Sequence, residues 1–429
     1  MNKLIVIIVS LISSLALFAD DYDNDSYIRE NPQIVQDSVF ENVSFSQYNF
    51  LNLNKNKLTL NNSDLSIFFN RLQNSSTDTI NIVHIGDSHI QADMSTKRTR
   101  TLLQNKFGNA GRGIIIPFKL SKTNEPRDYS ITSTSIWTNK KAIKRSDYCH
   151  SFTGISISPQ NKDYFDLTIS TLSKFIPEEF NNIKLYHTGE ISIDSLNISD
   201  EIVDSISYNV DEINIKLSVG VNSLTLYMSS DSGCAISGAL LSNSKAGIVY
   251  NAIGNNGATF DTYNSIGNIG KKVSQISPQL IILSLGANDA YSKISPTDFY
   301  NSIHKLVSDI QTNNPDASII LTTPMESQKR KYIRKKGRRR RKSYIINERV
   351  LLLRNEILRY GKEHKIAVYD WFEIAGGENA SQKWHNHKLM GRDRIHYTRV
   401  GYEIQGELFF NALLKEYNSY INSNCHGNN

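Results

Sequence analysis

The sequence predicts an α/β fold in which a parallel sheet flanked by helices is interrupted by an inserted antiparallel β-sandwich. Three observations carry that expectation. Before about residue 120 and after about residue 246, near-continuous apolar runs of strand length alternate with helix-length stretches, as parallel strands buried on both faces require. Between them, alternating or β-branched segments recur about every ten positions, divided by Asn, Asp, Ser and Gly, the pattern of an antiparallel sandwich. The chain has 429 residues, and one hydrophobic core rarely grows past about 250–300. A second domain or a large insertion is therefore expected.

The elements follow in chain order. Lys3 precedes the apolar run Leu4–Leu17 and then Phe18-Ala19-Asp20, the pattern of a secretory signal peptide over residues 1–19. The run is shorter than the roughly 20 residues that span a bilayer, so no transmembrane segment is expected after cleavage, and the mature protein is expected to be periplasmic or secreted. Residues 20–62 read as a polar, mostly extended lead-in. The α/β domain opens at residue 63 with a helix over Asp64–Leu72, a Ser63 cap candidate, strand Thr79–Ile85, and a helix over Ser95–Lys106 stopped by Gly108. This first segment ends at about residue 120. The insertion, residues 121–245, holds strands Ile131–Trp137, Phe152–Ile157, Tyr164–Ile169, Ile183–His187, Ile213–Val219 and Leu224–Met228.

The α/β rhythm resumes over residues 246–420. The expected strands are Gly247–Asn251, Leu280–Leu285, Ala317–Thr323 and Ile366–Tyr369. The expected helices are Tyr263–Ile276, Pro296–Thr312, Ile345–His364 and Arg399–Asn418, before a polar tail at 421–429. There are no internal repeats.

Composition bounds the class. Hydrophobic residues are 39% and aromatics 10%, which is modestly polar yet argues against disorder. Three cysteines cannot build a disulfide scaffold; at most a Cys149–Cys234 bridge within the insertion is expected. The formal charge of +6 misleads, because Lys329–Lys342 holds eleven Lys and Arg in fourteen residues, leaving +6 − 11 = −5 elsewhere. An exported protein is not expected to meet nucleic acid. The run reads either as a basic loop against an anionic wall polymer or as a solvated loop with no partner.

Four pieces carry chemistry, each beside a strand end. Ser88, in Gly86-Asp87-Ser88-His89, follows the first strand at a helix start, where ligands of open α/β sheets bind. Asp393 and His396, three residues apart before the last helix, let a carboxylate fix an imidazole tautomer whose other nitrogen can take a serine proton. Asn288, in Gly286-Ala-Asn288-Asp289, can donate to a developing oxyanion. Gly257, in Asn255-Asn-Gly257-Ala-Thr, lets a backbone N–H approach the same charge. Taken singly, these are turns and caps. His385 and His387 lack the further ligands a zinc site needs, so no metal is expected. Trp384 beside them reads either as a sugar-stacking ring or as a core residue.

The ordered set Gly86-Asp87-Ser88, Gly257, Gly286-Ala-Asn288-Asp289 and Asp393-Arg-Ile-His396 resembles the four sequence blocks of the SGNH (GDSL-like) hydrolase superfamily. The strings GDSHIQAD, GNAGRGIIIPF, AIGNNGATF and GRDRIHYTRVGY resemble more narrowly its peptidoglycan O-acetylesterases. That group carries a carbohydrate-binding-module-like, jelly-roll-like β-sandwich between the first and second blocks. The resemblance spans roughly residues 63–418. It implies that Ser88 is the nucleophile, His396 the base and Asp393 its orienting carboxylate. The Ser88 amide, Gly257 and Asn288 would form the oxyanion hole, with Gly254 the alternative glycine. His89 replaces the leucine of Gly-Asp-Ser-Leu and has no assigned role. The implied reaction removes O-acetyl groups from N-acetylmuramic acid of peptidoglycan through an acetyl-serine, with no cofactor. The alternatives are an esterase or O-acetyltransferase acting on another acetylated cell-surface polysaccharide, and a non-catalytic glycan-binding protein.

Overall fold

The computed structural model describes residues 45–144, 149, 151–171, 178–333 and 341–426. The expected signal peptide, most of the lead-in and the middle of the basic run lie outside them. Among the described residues, no helix is long and apolar enough to cross a membrane.

Five parallel strands make the central sheet, in the order Gly247–Gly254, Thr79–Gly86, Leu280–Ser284, Ser318–Thr322, Ala367–Tyr369. Side chains alternate between two cores. Ile80, Ile82, Leu280, Ile282 and Ile320 face one, with the helices Ser66–Gln73, Met94–Phe107 and Arg399–His426. Val83, Ile85, Ile281, Leu283 and Leu321 face the other, with Pro296–Asn313 and Glu348–Glu363. Burial on both faces is why these strands read as unbroken apolar runs.

In chain order the sheet runs 2-1-3-4-5, a doubly wound arrangement that reverses beside the first strand. The crevice at that reversal is where such sheets place their ligands. Gly86 is in register with both Gly254 and Ser284, so the three strand ends that lead to Ser88, Gly257 and Asn288 finish level.

The insertion joins the first two strands. One antiparallel sheet contains Trp137–Lys141, Ile155–Pro159, Cys234–Ser242, Phe180–Gly189, Glu212–Val221 and Val203–Tyr208. The other contains Tyr129–Thr132, Phe165–Thr171, Ser223–Ser229 and Ser192–Leu196. Their inner residues, such as Ile157, Ile183, Ile215, Leu167 and Leu226, share one core. Gly113–Ile115 also pairs with Ala239–Leu241 of the first sheet. Cys149 and Cys234, at most one bridge by expectation, are not joined to each other.

Buried charges tie the insertion to the α/β body. Arg100 contacts Asp93 at 3.2 Å and Asp128 at 2.6 Å, while Arg112 reaches Asp128 at 3.1 Å and also contacts Asp93. Removing one member of such a set leaves an uncompensated buried charge, at a cost of about 3–5 kcal/mol.

Several elements differ from expectation. The basic run is not a free loop at its ends, because Gln328–Ile333 pairs antiparallel with Arg341–Ile346. The next helix consequently begins at Glu348. Tyr263–Ile276 divides into Phe260–Asn264 and Ile269–Ser274, separated where Gly267 takes φ +68°. Ser63 caps nothing; the Ser66 N–H instead donates to Asp64 Oδ1 at 2.8 Å. The end of the lead-in is packed, with Phe50, Leu51 and Leu58 buried and Thr59 bridged to Val368. The closing helix continues to His426.

Candidate active site

Ser88 opens a one-turn helix directly after the first strand. Asp87, just before it, is the N-cap, and its Oδ1 accepts the His89 N–H at 2.9 Å. As the first helical residue, Ser88 has a backbone N–H with no intrahelical acceptor.

Packing of two helices brings the far end of the chain to this turn. Met94–Phe107 begins soon after Ser88, and Arg399–His426 begins just after His396. They meet where a Cβ on Gly406 would stand 2.2 Å from the Ser95 carbonyl oxygen, a separation only glycine permits. Thr99 Oγ1 donates to the Gly406 carbonyl at 2.9 Å, and Arg98 pairs with Glu407. Residues 308 positions apart thereby meet, with Ser88 Oγ 2.8 Å from His396 Nε2.

His396 is held from behind. Its Nδ1 is 2.6 Å from Asp393 Oδ2, while Asp393 Oδ1 accepts the backbone N–H groups of Ile395 at 3.0 Å and His396 at 3.1 Å. Burial pushes the Asp393 carboxyl up, but the hydrogen bond and charge of His396 and the two amides outweigh it and leave the group below its ordinary value. A carboxylate fixed by two amides orients one imidazole nitrogen and leaves the other facing a hydroxyl. That arrangement can deprotonate a serine.

His89 forms the wall behind His396. Its ring lies 5.2 Å from that of His396 and 4.9 Å from that of Tyr397, and its Nδ1 pairs with the Tyr402 hydroxyl at 3.1 Å. Burial first, and then the neighbouring His396, hold it down to about 3, so it is a neutral packing and hydrogen-bonding group.

The two oxyanion candidates bracket the same turn. Asn288 Nδ2 donates to the Ala258 carbonyl at 3.0 Å and to Asp87 Oδ2 at 3.3 Å, which links it to the residue before Ser88. Gly257 is anchored before it by Asn255 N–H to the Gly86 carbonyl at 3.2 Å and Asn256 N–H to Gln91 Oε1 at 2.7 Å, and after it by the Ala258 carbonyl that accepts from Asn288. Gly257 has φ +82°, and a Cβ there would meet nothing within 4 Å. A Cβ on Gly254 would stand 2.0 Å from the Gln91 nitrogen. Gly254 is therefore packed against the Ser88 helix, while Gly257 faces open space.

Two buried carboxyls were quoted in the sequence motifs without a role. Burial raises Asp87 to about 6 and Asp289 to about 7, the latter helped by Asp87. Asp289 is 1% exposed, and its Oδ2 has no hydrogen-bond partner among the described residues. Sequence spacing carries no signal for these shifts, which arise from the depth of the crevice.

Trp384 is a core residue, with no exposed surface and its Nε1 donating to the Ala375 carbonyl. His385 and His387 each turn Nδ1 to backbone carbonyls. Among the described residues, no group of three or more His, Cys, Asp or Glu is arranged to hold a metal.

The GDSL-like Lipase/Acylhydrolase family model matches residues 204–404, a span that includes Gly257, Asn288, Asp393 and His396 and begins after Ser88. The chain is similar to a solved structure described as "Peptidoglycan O-acetylesterase in action, 5 min", at 20% identity and a TM-score of 0.70, covering 84% of this chain and 99% of the other. A lipase/acylhydrolase from Enterococcus faecalis aligns at 22% identity and a TM-score of 0.29, covering 38% of this chain and 75% of its own. A possible lipase from Chitinophaga pinensis aligns at 18% and 0.25, covering 39% and 83%. No curated protein sequence matches the chain.

Proposed function

We propose that this chain is a GDSL-like carboxylic ester hydrolase that removes O-acetyl groups from N-acetylmuramic acid of peptidoglycan after export from the cytoplasm. The contact of Ser88 Oγ with His396 Nε2 at 2.8 Å, at the carboxyl edge of a parallel sheet, carries the catalytic reading. The substrate reading is supported by a fold shared over 84% of the chain with a peptidoglycan O-acetylesterase.

In this mechanism Ser88 Oγ attacks the acetyl carbonyl carbon while His396 Nε2 takes its proton. Asp393 holds the Nδ1–H tautomer and stabilises the imidazolium that forms. The carbonyl oxygen becomes an oxyanion, received by the N–H groups of Ser88 and Gly257 and by the Asn288 amide. To reach it, Asn288 gives up its 3.3 Å contact with Asp87, the longer of its two hydrogen bonds. The C–O bond to the sugar then breaks, the sugar oxygen takes the proton from His396, and acetyl-Ser88 remains. His396 next deprotonates a water that attacks the acyl carbon, and acetate leaves as Ser88 recovers its proton.

Acetate release from purified O-acetylated cell wall tests the reading. Wild type should release acetate and Ser88→Ala should not. Equal release by a folded Ser88→Ala variant overturns the mechanism. Activity on acetylated xylan but not on wall overturns the substrate.

A further inference from the structure

The basic hairpin is built onto the catalytic segment. At its base, the Gln328 N–H donates to the Arg394 carbonyl at 3.0 Å, and the Tyr344 hydroxyl donates to the Arg392 carbonyl at 2.7 Å. Arg392 and Arg394 flank Asp393 on either side. The Arg394 guanidinium lies 5.1 Å from the centre of the Tyr344 ring. Arg394 itself holds φ +66°, a left-handed conformation that a non-glycine residue keeps only where its surroundings hold it. Ser327, the residue before the hairpin, lines the cavity that also touches Asp87, His89 and Ile395.

Cross-strand partners share a face, and positions two apart along a strand share it too. Arg330 pairs with Tyr344 and Tyr332 with Lys342, so one face presents Arg330, Tyr332 and Tyr344 and runs into Arg394. Arg330 interacts with the Tyr332 and Tyr344 hydroxyls. Lys331 points the other way. Arg330 and Lys331 are exposed, and Tyr332 is 53% exposed. Among the described residues, Lys329, Arg330 and Lys331 form no ion pair with a carboxylate. The rest of the chain carries a net −5, that is +6 − 11, yet none of its described carboxylates pairs with these three cations.

We propose that the described base of this hairpin, through Arg330, Lys331, Tyr332 and Tyr344, is a docking surface for the carboxylates of the polymeric substrate, the free acids of the peptide stems, and that it seats a glycan strand beside Ser88. Its complementarity is cationic against anionic, with the tyrosine rings offering flat surface to the polymer between charges. Its attachment to both neighbours of Asp393 fixes bound polymer at the catalytic edge rather than elsewhere on the molecule. The proposal rests on the peptidoglycan reading for the identity of the acid, not for the existence of the surface. Such contacts are screened within about 8 Å at physiological salt, so they act on association and leave the chemical step alone.

The test uses the full chain and purified cell wall, with and without conversion of the stem carboxylates to amides. Loss of two exposed charge contacts in Arg330→Ser with Lys331→Ser should weaken co-sedimentation about twofold to thirtyfold at low salt. Amidation should weaken wild type by a similar factor, and turnover of a small neutral acetyl ester should stay unchanged in the variant. Lys331→Glu, checked for folding by thermal melting, should weaken retention further. Retention that survives amidation, including retention that depends on wall phosphates, overturns the proposal, as does equal retention of variant and wild type. If wild type is retained through carboxylates but releases no acetate, the docking surface stands and the peptidoglycan esterase reading fails. Acetate release with unchanged retention of the variant has the opposite meaning.

Discussion

Replacing Asp393 by Asn tests the tautomer argument at one atom. In wild type, Asp393 Oδ1 accepts two backbone N–H groups and Oδ2 faces His396 Nδ1 at 2.6 Å. An asparagine must keep its carbonyl oxygen toward the two amides, because turning its NH₂ there would leave two donors facing donors, at about 1–3 kcal/mol for each group left unsatisfied. The NH₂ then faces Nδ1 and compels it to accept. The His396 proton moves to Nε2, and that nitrogen can no longer take the Ser88 proton. A wrong tautomer of this kind costs roughly 10⁴ in kcat, or about 5.4 kcal/mol. The Asp393 side chain is 40% exposed, so water relieves part of the mispairing, and the expected loss is about 10²–10⁴. Asp393→Ala should lose less than Asp393→Asn, because an empty site lets Nδ1–H bond to water. The assay is kcat for a small neutral acetyl ester, with thermal melting to confirm folding. A folded Asp393→Asn enzyme within tenfold of wild type, or one faster than Asp393→Ala, refutes the reasoning.

Three further outcomes are expected. Asn288→Ala should lower kcat by about 10²–10³ with KM little changed, and a change confined to KM would move Asn288 from the oxyanion to substrate binding. Gly257→Ala has room for its Cβ but must hold alanine at φ +82°, so it should fold with a modestly lower melting temperature and lose kcat as its N–H shifts, whereas Gly254→Ala, whose Cβ would sit 2.0 Å from the Gln91 nitrogen, should lower the melting temperature more; the reverse pattern would exchange their roles. Asp289 is raised by burial from 3.8 to about 7, so the folded state binds its proton more tightly and this contribution to stability falls as pH rises from about 4 to about 7. Asp289→Asn should therefore flatten the melting-temperature profile across that window and raise its value at pH 8, and an unchanged profile would refute the assignment.

The legible parts of the fold are those whose burial leaves a mark on composition. The central strands are apolar throughout because both faces are covered, and runs such as Thr79–Ile85 and Leu280–Leu285 show it directly. Strands Ser192–Leu196 and Val203–Tyr208 stay hidden because they are mostly exposed and show no apolar alternation. The hairpin is hidden for a related reason: its residues are basic, and backbone pairing rather than side-chain burial makes it a strand pair. Tyr263–Ile276 carries helical spacing that positive φ at Gly267 and Asn268 interrupts. The packed end of the lead-in was masked by the Asn-rich sequence around Leu53 and Leu58.

The site divides in the same way. Local spacing places Asp393 near His396, and the strand-to-helix turn exposes Ser88. Their meeting across 308 positions depends on the fit of Gly406 against Ser95, which no local pattern encodes; only the order of the four motifs along the chain links them in sequence. The bond between Tyr402 and His89, and the burial of Asp87 and Asp289, became visible only in three dimensions.

The central claim is that Ser88 carries the acetyl group between sugar and water. The most direct measurement is mass spectrometry of enzyme quenched in acid during turnover of an acetyl ester. The account predicts one added acetyl group on the peptide that contains Ser88, enriched in an Asn288→Ala background only if deacylation slows more than acylation, and absent from Ser88→Ala. Acetate release with the acetyl group on another residue, or with label from heavy-oxygen water entering acetate while a sensitive search at several quench times finds no acetyl-enzyme, would contradict it.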